Sequence, residues 1–429
     1  MSSSKSKTAM KSSDPRVAGK RIYDEELRSK FLIPAHLRFG MVVATKVLDA
    51  DIGVKLAETF QENHREEVSG EPKAPLVVFV DCKGGGDLGH EIKFNLQKLI
   101  SEDQVFDISV MEPFLQYGLT CLRHMDDPNK KPPISEKLRI MIAGGDGEVG
   151  KILRTLGKKF STQKVPPIGI IPLGTGNDLS KSFGWGGSLP SAWLLAVERS
   201  LPQAAFNRVE QLDRVWTCKQ NCLLIYLKME EFSTNTSALE WMLKLNMTST
   251  IGQKASHPLH RVQYQIKELE NILTLHVKKV HRDNWEEVII PSSIRAITFL
   301  NIHNYGGGAY PWGHLKPEYL EEKKYYEAHA DDGLLEIFGL KQGWHAYCVM
   351  KQLTYAKHIA QAAAIKVEFR SNACFMGNET FIQVDGESGK VKLTEERITE
   401  MTIEKLPFRP SFIIGDEARG DATSKKKKK

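Results

Sequence analysis

Cysteine is scarce in this chain: Cys82, Cys121, Cys218, Cys222, Cys348 and Cys374 are the only six in 429 residues. Thiols so few and so scattered do not make a disulfide framework, and they fit a reducing compartment. Cys218 and Cys222 have no second ligand pair nearby, which argues against a zinc module. Long apolar runs are missing too. No stretch approaches the ~18 residues of a membrane-spanning helix, so any membrane contact is expected to be peripheral. The amino terminus is rich in Ser and Lys without an apolar centre and does not read as a signal peptide. A strong charge imbalance is also absent. The net charge of +6 does not call for nucleic acid, and no zinc-finger spacing or other nucleic-acid motif is present. It suits an anionic membrane surface.

What is present reads as globular: 41% hydrophobic and 26% charged residues. A chain of 429 residues suggests two domains. Residues 1 to 74 form a disordered start and an extension, with helical spacing from Lys46 to Thr59. From 75 to 212 short apolar runs alternate with helical patterns. Strands are expected at Pro75–Val80, Val105–Val110, Leu138–Ala143 and Ile168–Ile171. Helices are expected at Glu91–Ile100, Pro113–His124, Glu148–Phe160 and Ser191–Ser200. That alternation predicts an α/β domain with a parallel sheet. From 213 to 410 the period shifts toward two, at Leu273–Val277, Ile294–Ile302, Leu334–Phe338, Ile365–Phe369, Phe381–Asp385 and Ile398–Ile403. Short strands with turn signals predict a β-rich, sandwich-like second domain. Gly343–Ala364 has helical spacing and is expected to lie over that sheet. Residues 411 to 429 form a basic tail ending in Lys425–Lys429. It is either solvated or in weak contact with anionic lipid, at about 1 kcal/mol per lysine.

Two glycine-rich turns carry the functional signal. Gly144, Gly145, Asp146 and Gly147 follow one buried strand. Pro172 to Asp178, with Gly174, Thr175, Gly176 and Asn177, follow the next. Glycines at the carboxyl ends of parallel strands let backbone N–H groups approach phosphate oxygens, and a helix beginning at Asn177 or Asp178 adds its positive end. Ligands of such sheets bind at those strand ends. Neither turn is the dinucleotide fingerprint or the Walker loop. Asp146 either orients its loop or a magnesium-bound water, or braces a turn through its own loop's N–H groups. Asn177 either binds nucleotide or caps the helix. Asp385, with Gly386 and Glu387, ends an alternating strand and on spacing alone reads as a hairpin turn. Asp331-Asp332-Gly333 on its own reads as a β-turn.

The pairing GGDG … PLGTGND resembles the diacylglycerol kinase family; its first half also resembles NAD kinases and phosphofructokinases. Ser182–Gly187, Asn304–Gly313, Glu327–Gly333, Gly339–His345 and Ala356–Ala364 extend the resemblance. Together they look like the short plant-type members, which lack cysteine-rich lipid modules. The resemblance implies an NAD kinase-like two-domain architecture and a peripheral, cytoplasmic enzyme. Such an enzyme moves the γ-phosphoryl of ATP, with Mg2+, to membrane diacylglycerol. It implies a nucleotide site of Lys83, Gly144, Gly145, Asp146, Gly147, Gly174, Thr175, Gly176, Asn177 and Asp178. It further implies Asp385 as general base supported by Glu387, and Asp332 at a structural magnesium. Trp312 and Gly306–Gly308 read as packing and turn devices.

Three departures stand out. The family's N-P-K-S-G-G is Asp81-Cys82-Lys83-Gly84-Gly85-Gly86 here, which adds a negative charge. The Thr after the family's G-G-D-G is Glu148; a carboxylate ~4 Å from a phosphate charge is repelled by about 4 kcal/mol at an effective dielectric of ~20. Val215 to Glu268 does not match the family's N-Y-F-S-x-G-x-D-A stretch. These departures leave open a catalytically impaired relative that acts by binding lipid or a partner. A kinase for sphingoid, ceramide or NAD substrates fits the second-domain motifs less well.

Overall fold

Runs of consecutive apolar residues have no solvent-facing side, so they become strands covered on both faces. In the first domain these are β1 (Leu76–Val80), β3 (Arg139–Gly144) and β4 (Ile168–Pro172), while the less covered β2 (Val105–Asp107) and β5 (Val209–Gln211) form the edges of the same sheet. The second domain contributes β6 (Cys222–Tyr226), β7 (Leu273–Lys278), β8 (Glu286–Val288), β9 (Ala296–Leu300), β10 (Leu335–Leu340), β11 (Lys357–Ala362), β12 (Ala364–Phe369), β13 (Glu379–Val384), β14 (Glu387–Lys392) and β15 (Thr399–Glu404), and β16 (Ser411–Ile413) closes the series. The computed structural model describes residues 25–63, 72–129, 131–159, 165–212, 222–226, 272–280, 282–302, 304–305, 309–341, 343–370, 379–384, 387–392, 399–405 and 409–416.

The first sheet has the order β2-β1-β3-β4-β16-β5, and β1 to β4 pair in parallel. Its side chains alternate between two cores. Val77, Phe79, Ile140 and Ile142 join one face with Met41, Phe114, Ile152 and Leu156 from helices Ala35–Val47, Phe114–Gly118 and Asp146–Lys159. Val78, Val80, Met141 and Ala143 join the other with Ile92, Leu96, Val197 and Leu201 from helices Gly86–Leu99 and Trp193–Phe206. A three-layer α/β domain results, and each fully buried side chain of the size of Val or Phe contributes roughly 1.5–3 kcal/mol.

The second domain has two antiparallel sheets, β11-β10-β9-β6-β13-β14 and β15-β12-β7-β8. Ile297, Phe299, Leu335 and Ile337 of the first meet Leu275, Val277, Ile365 and Val367 of the second in one core, which makes the sandwich. On the outer face of the larger sheet, Leu300, Phe338 and Leu340 join Trp312, Ala346 and Val349 in a cluster continuous with the first domain's core. The packing role expected of Trp312 holds: its ring lies 5.5 Å from that of Phe338.

Several sequence expectations need correction. The helical pattern from Lys46 to Thr59 is two helices, Ala35–Val47 and Ala50–Asn63. Leu48 turns left-handed between them, and the Asp49 carboxylate accepts from the N–H groups of Asp51 and Ile52, starting the second helix. The helix expected over Gly343–Ala364 stops at Met350, and Lys357–Ala362 is instead β11, paired with β10. The strand expected over Val105–Val110 shortens to Val105–Asp107, because the Asp107 carboxylate accepts from Ser109 N–H and bends the chain. The assignment of 411–429 to a tail fails at its start: β16 pairs with β4 and β5, and Phe412 and Ile413 are buried in the first domain. The expected disordered start, Gly306–Gly308 and the terminal lysines lie outside the described residues, as does all but β6 of the stretch Val215–Glu268 that was expected to depart from the family.

Candidate active site

Both glycine-rich turns leave neighbouring parallel strands at the same end, with Gly144 of β3 opposite Pro172 of β4. They touch backbone to backbone. A Cβ on Gly174 would lie 2.6 Å from Gly145 Cα, and one on Gly145 would lie 3.0 Å from Gly174 Cα. No side chain fits between the loops, so these two positions require glycine. Leu173 N–H donates to Gly144 C=O at 3.2 Å and closes the pair.

Asp146 ties the loops together. Its carboxylate accepts from Asp178 N–H at 2.8 Å and from Leu179 N–H at 3.1 Å. It therefore caps helix Asp178–Ser182 of the second loop, where the sequence reading had it bracing its own loop. Burial, and then the charge of Asp178, push its pKa up to about 6, against the pull of the two N–H bonds and of Lys181. Asn177 also differs from expectation. It is 1% exposed, with left-handed backbone at φ 53°. Its amide donates to Gly174 C=O at 2.6 Å and Gly187 C=O at 2.9 Å, and its oxygen accepts from Gly174 N–H at 3.1 Å. Every one of those bonds shapes the loop; none caps the helix.

What remains open faces solvent above the loops. Thr175 is exposed at the tip of the second loop, and a Cβ built on Gly147 meets nothing within 4 Å. Gly147 stands at the start of the long helix Asp146–Lys159, where free N–H groups favour an anion. Lys83 is exposed on the neighbouring loop after β1. The Asp81 carboxylate accepts from Lys83 N–H at 3.1 Å and Gly84 N–H at 2.7 Å. Asp81 thus spends those donors inside the loop and braces it. Glu148 makes an ion pair with Lys151 on the same helix face, which offsets part of the repulsion expected from its charge.

In the second domain, the strand that precedes Asp385 is β13. Val384 pairs with Glu387 across β13 and β14, and Val384 lies in register with Leu223, Phe299 and Ile337 across the sheet. Asp385 and Gly386 lie outside the described residues; Glu387 opens β14. Asp332 sits in the turn before β10. Its carboxylate accepts from His329 N–H at 3.0 Å and Leu334 N–H at 2.8 Å, and burial pushes its pKa up to about 6. Both oxygens brace that turn. Among the described residues no three His, Cys, Asp or Glu side chains gather as a metal site.

A buried polar cluster in the second domain had no signal in the sequence. Glu336 and His358, both nearly inaccessible, meet at 2.7 Å. Gln361 donates to Glu336 at 2.6 Å and holds both the N–H and C=O of Tyr326, while Tyr319 OH lies 3.2 Å from His358 Nδ1. The cluster pins helix Pro317–Lys323 and the following segment to β10 and β11.

Comparison with known proteins agrees with this arrangement. The diacylglycerol kinase catalytic domain profile matches residues 75–209, and the diacylglycerol kinase accessory domain profile matches 232–388. Diacylglycerol kinase 4 of Arabidopsis thaliana is 37% identical over 93% of both chains. Diacylglycerol kinase 3 of the same plant is 36% identical over 91% of both. A crystal structure of a diacylglycerol kinase from Bacillus anthracis str. Sterne aligns with a TM-score of 0.43 at 16% identity, covering 79% of this chain and 96% of that one. The two matched profiles and the extent of the plant relatives place this chain in the diacylglycerol kinase family.

Proposed function

We propose that the chain transfers the γ-phosphoryl of Mg-ATP to the free hydroxyl of diacylglycerol, giving phosphatidic acid and ADP. The observation that carries this reading is the direct backbone contact of Gly145 and Gly174, which sets the two glycine-rich turns side by side at one end of the parallel sheet. Gly144, Gly145, Gly147, Gly174 and Gly176 line the phosphates, and the Thr175 hydroxyl and Lys83 ammonium add donors. Asp146 and Asn177 hold that cradle in shape; they are positioning residues. Asp385 accepts the hydroxyl proton as the new O–P bond forms and the bond to ADP breaks, with Glu387 supporting it. Magnesium enters with ATP, on the phosphate oxygens that suit it. The substrate is a membrane lipid, and no described helix is long and apolar enough to cross a membrane. The reading therefore places the enzyme at a lipid surface.

The test is incubation of the purified chain with labelled Mg-ATP and diacylglycerol in mixed micelles, beside Asp385→Asn. Labelled phosphatidic acid from the parent and at least a hundredfold less from the variant is expected. Equal product from both would remove Asp385 as base. No product from the parent, where a plant relative works, would favour a lipid-binding relative without turnover.

A further inference from the structure

The connection between helix Gly343–Met350 and β11 presents its apolar side chains outward. Leu353 is 74% exposed and Tyr355 61%. Neither is on a floppy tip. Gln352 takes a left-handed conformation at φ 57°, and Gln352 N–H and Leu353 N–H close the helix onto Val349 and Cys348 carbonyls. Ala356 N–H donates to Pro311 C=O at 2.7 Å. His345 Nδ1 accepts from Lys341 N–H, which leaves Nε2–H to donate to Tyr355 C=O at 3.2 Å. The Tyr355 ring lies against Gly313, where a Cβ would come within 2.5 Å of it. The backbone is fixed at several points, yet the two side chains remain uncovered. Holding apolar surface in water by so many bonds makes sense if something covers it.

The charge around the turn indicates what does. From Lys341 to Lys357 the chain holds three lysines and no Asp or Glu, and Lys341, Lys351 and Lys357 are all exposed. Another exposed apolar group, Val47, Leu48, Ile52 and Leu56 on the helical hairpin, sits among Lys46 and Lys55 but also Asp49, Asp51 and Glu58, so its surroundings are not uniformly basic. A leucine and a tyrosine ringed by lysines match the boundary of an anionic bilayer, where aromatic rings rest at headgroup depth and lysines meet phosphates. We propose that the turn Lys351–Lys357 is a membrane-docking knuckle, which seats Leu353 and Tyr355 in the interface of an anionic bilayer. The proposal rests on the reading above that the substrate is a membrane lipid. The knuckle leads into the edge strand β11, four strands from β13, or ~19 Å across the sheet at ~4.8 Å per strand. On this proposal it acts on binding and not on the chemical step.

The experiment is cosedimentation of the full chain with phosphatidylcholine vesicles, with and without phosphatidylserine. Leu353→Asp, the charge reversal Lys351→Glu/Lys357→Glu, and Ile289→Asp as a control at a site 85% exposed elsewhere are compared. Turnover of a short-chain, water-dispersed diacylglycerol is measured for each in parallel. Leu353→Asp is expected to weaken vesicle binding roughly tenfold or more. The charge reversal is expected to abolish the preference for phosphatidylserine, and both variants and the control keep dispersed-substrate turnover. Unchanged binding in Leu353→Asp, or a loss equalled by Ile289→Asp, overturns the knuckle. So does binding that disappears only when Lys425–Lys429 are removed, or a parent dimer that Leu353→Asp dissociates. A parent that binds vesicles through Leu353 but makes no phosphatidic acid would retain the knuckle and refute the kinase reading.

Discussion

Replacing Asp146 with Asn tests the tie between the two loops through pH. Burial and the charge of Asp178 raise the pKa of Asp146 from an ordinary 3.8 to about 6. The folded chain therefore holds this proton more tightly than the unfolded one. The stabilisation from that proton is complete below pH 3.8 and is lost as pH rises through about 6. A shift of that size is worth about 3 kcal/mol, to an order of magnitude. Asn has the same shape and no charge, so Asp146→Asn removes this pH dependence. It also leaves one of the Asp178 and Leu179 N–H groups without its acceptor, at a pH-independent cost of about 1–3 kcal/mol. The variant should be the less stable chain near pH ~4, and near pH ~7.5 it should be equal or better. Urea unfolding of both chains at several pH values measures the difference, in which groups common to both cancel. A stability difference that stays flat across this range would refute the argument and mean that Asp146 is not buried with its charge as described.

Other substitutions separate the site from its scaffold. Gly147→Ala adds a Cβ into open space in a helix, so stability should hold or rise by about 0.5–1 kcal/mol while ATP affinity falls at least tenfold. Gly150→Ala, equally open, should give the stability without the loss of ATP binding, and calorimetric titration of both checks the pair. Asn177→Ala removes the amide that holds Gly174 and Gly187, and should cost about 2–4 kcal/mol in thermal unfolding; less than ~1 kcal/mol would mean the loop holds itself. Glu148→Thr should raise ATP affinity by less than ~tenfold, because Lys151 already offsets the carboxylate. His358→Ala should destabilise by roughly 3–5 kcal/mol by leaving Glu336 buried without its partner, and His358→Leu/Glu336→Leu should recover much of that in the same melt.

Much of the architecture was legible because apolar runs have only one use. Leu76–Val80 and Ile168–Pro172 are buried at every position, so their sequence has no polar alternation and points to a sheet covered on both sides. Alternation at Leu273–Lys278 pointed as directly to a sandwich strand with one covered face. Short elements failed because three residues carry no period. Nothing in Ser411–Ile413 distinguishes a strand from a tail, and its place between β4 and β5 is a matter of tertiary pairing. At Gly343–Ala364 an eight-residue helix led into a strand, and a single window averaged the two.

The candidate site divides along the same line. The glycines were legible because exclusion of a side chain is a property of the residue itself, and the 2.6 Å approach at Gly174 is the reason. The polar residues were not, because one carboxylate or amide serves equally for a ligand, a turn or a cap until its partners are known. Asp146 was read within its own loop and instead reaches the next loop's helix, 32 residues on. Asn177 was weighed as ligand or cap and has its amide bound to Gly174 and Gly187. Asp81 was read as an added charge against phosphate and instead accepts two N–H groups of its own loop. In each case the side chain's polar atoms hold the scaffold. On the proposed reading, the nucleotide meets mainly backbone N–H groups, Thr175 and Lys83, because Asp81 and Asp146 are turned to loop N–H groups and Glu148 is paired with Lys151.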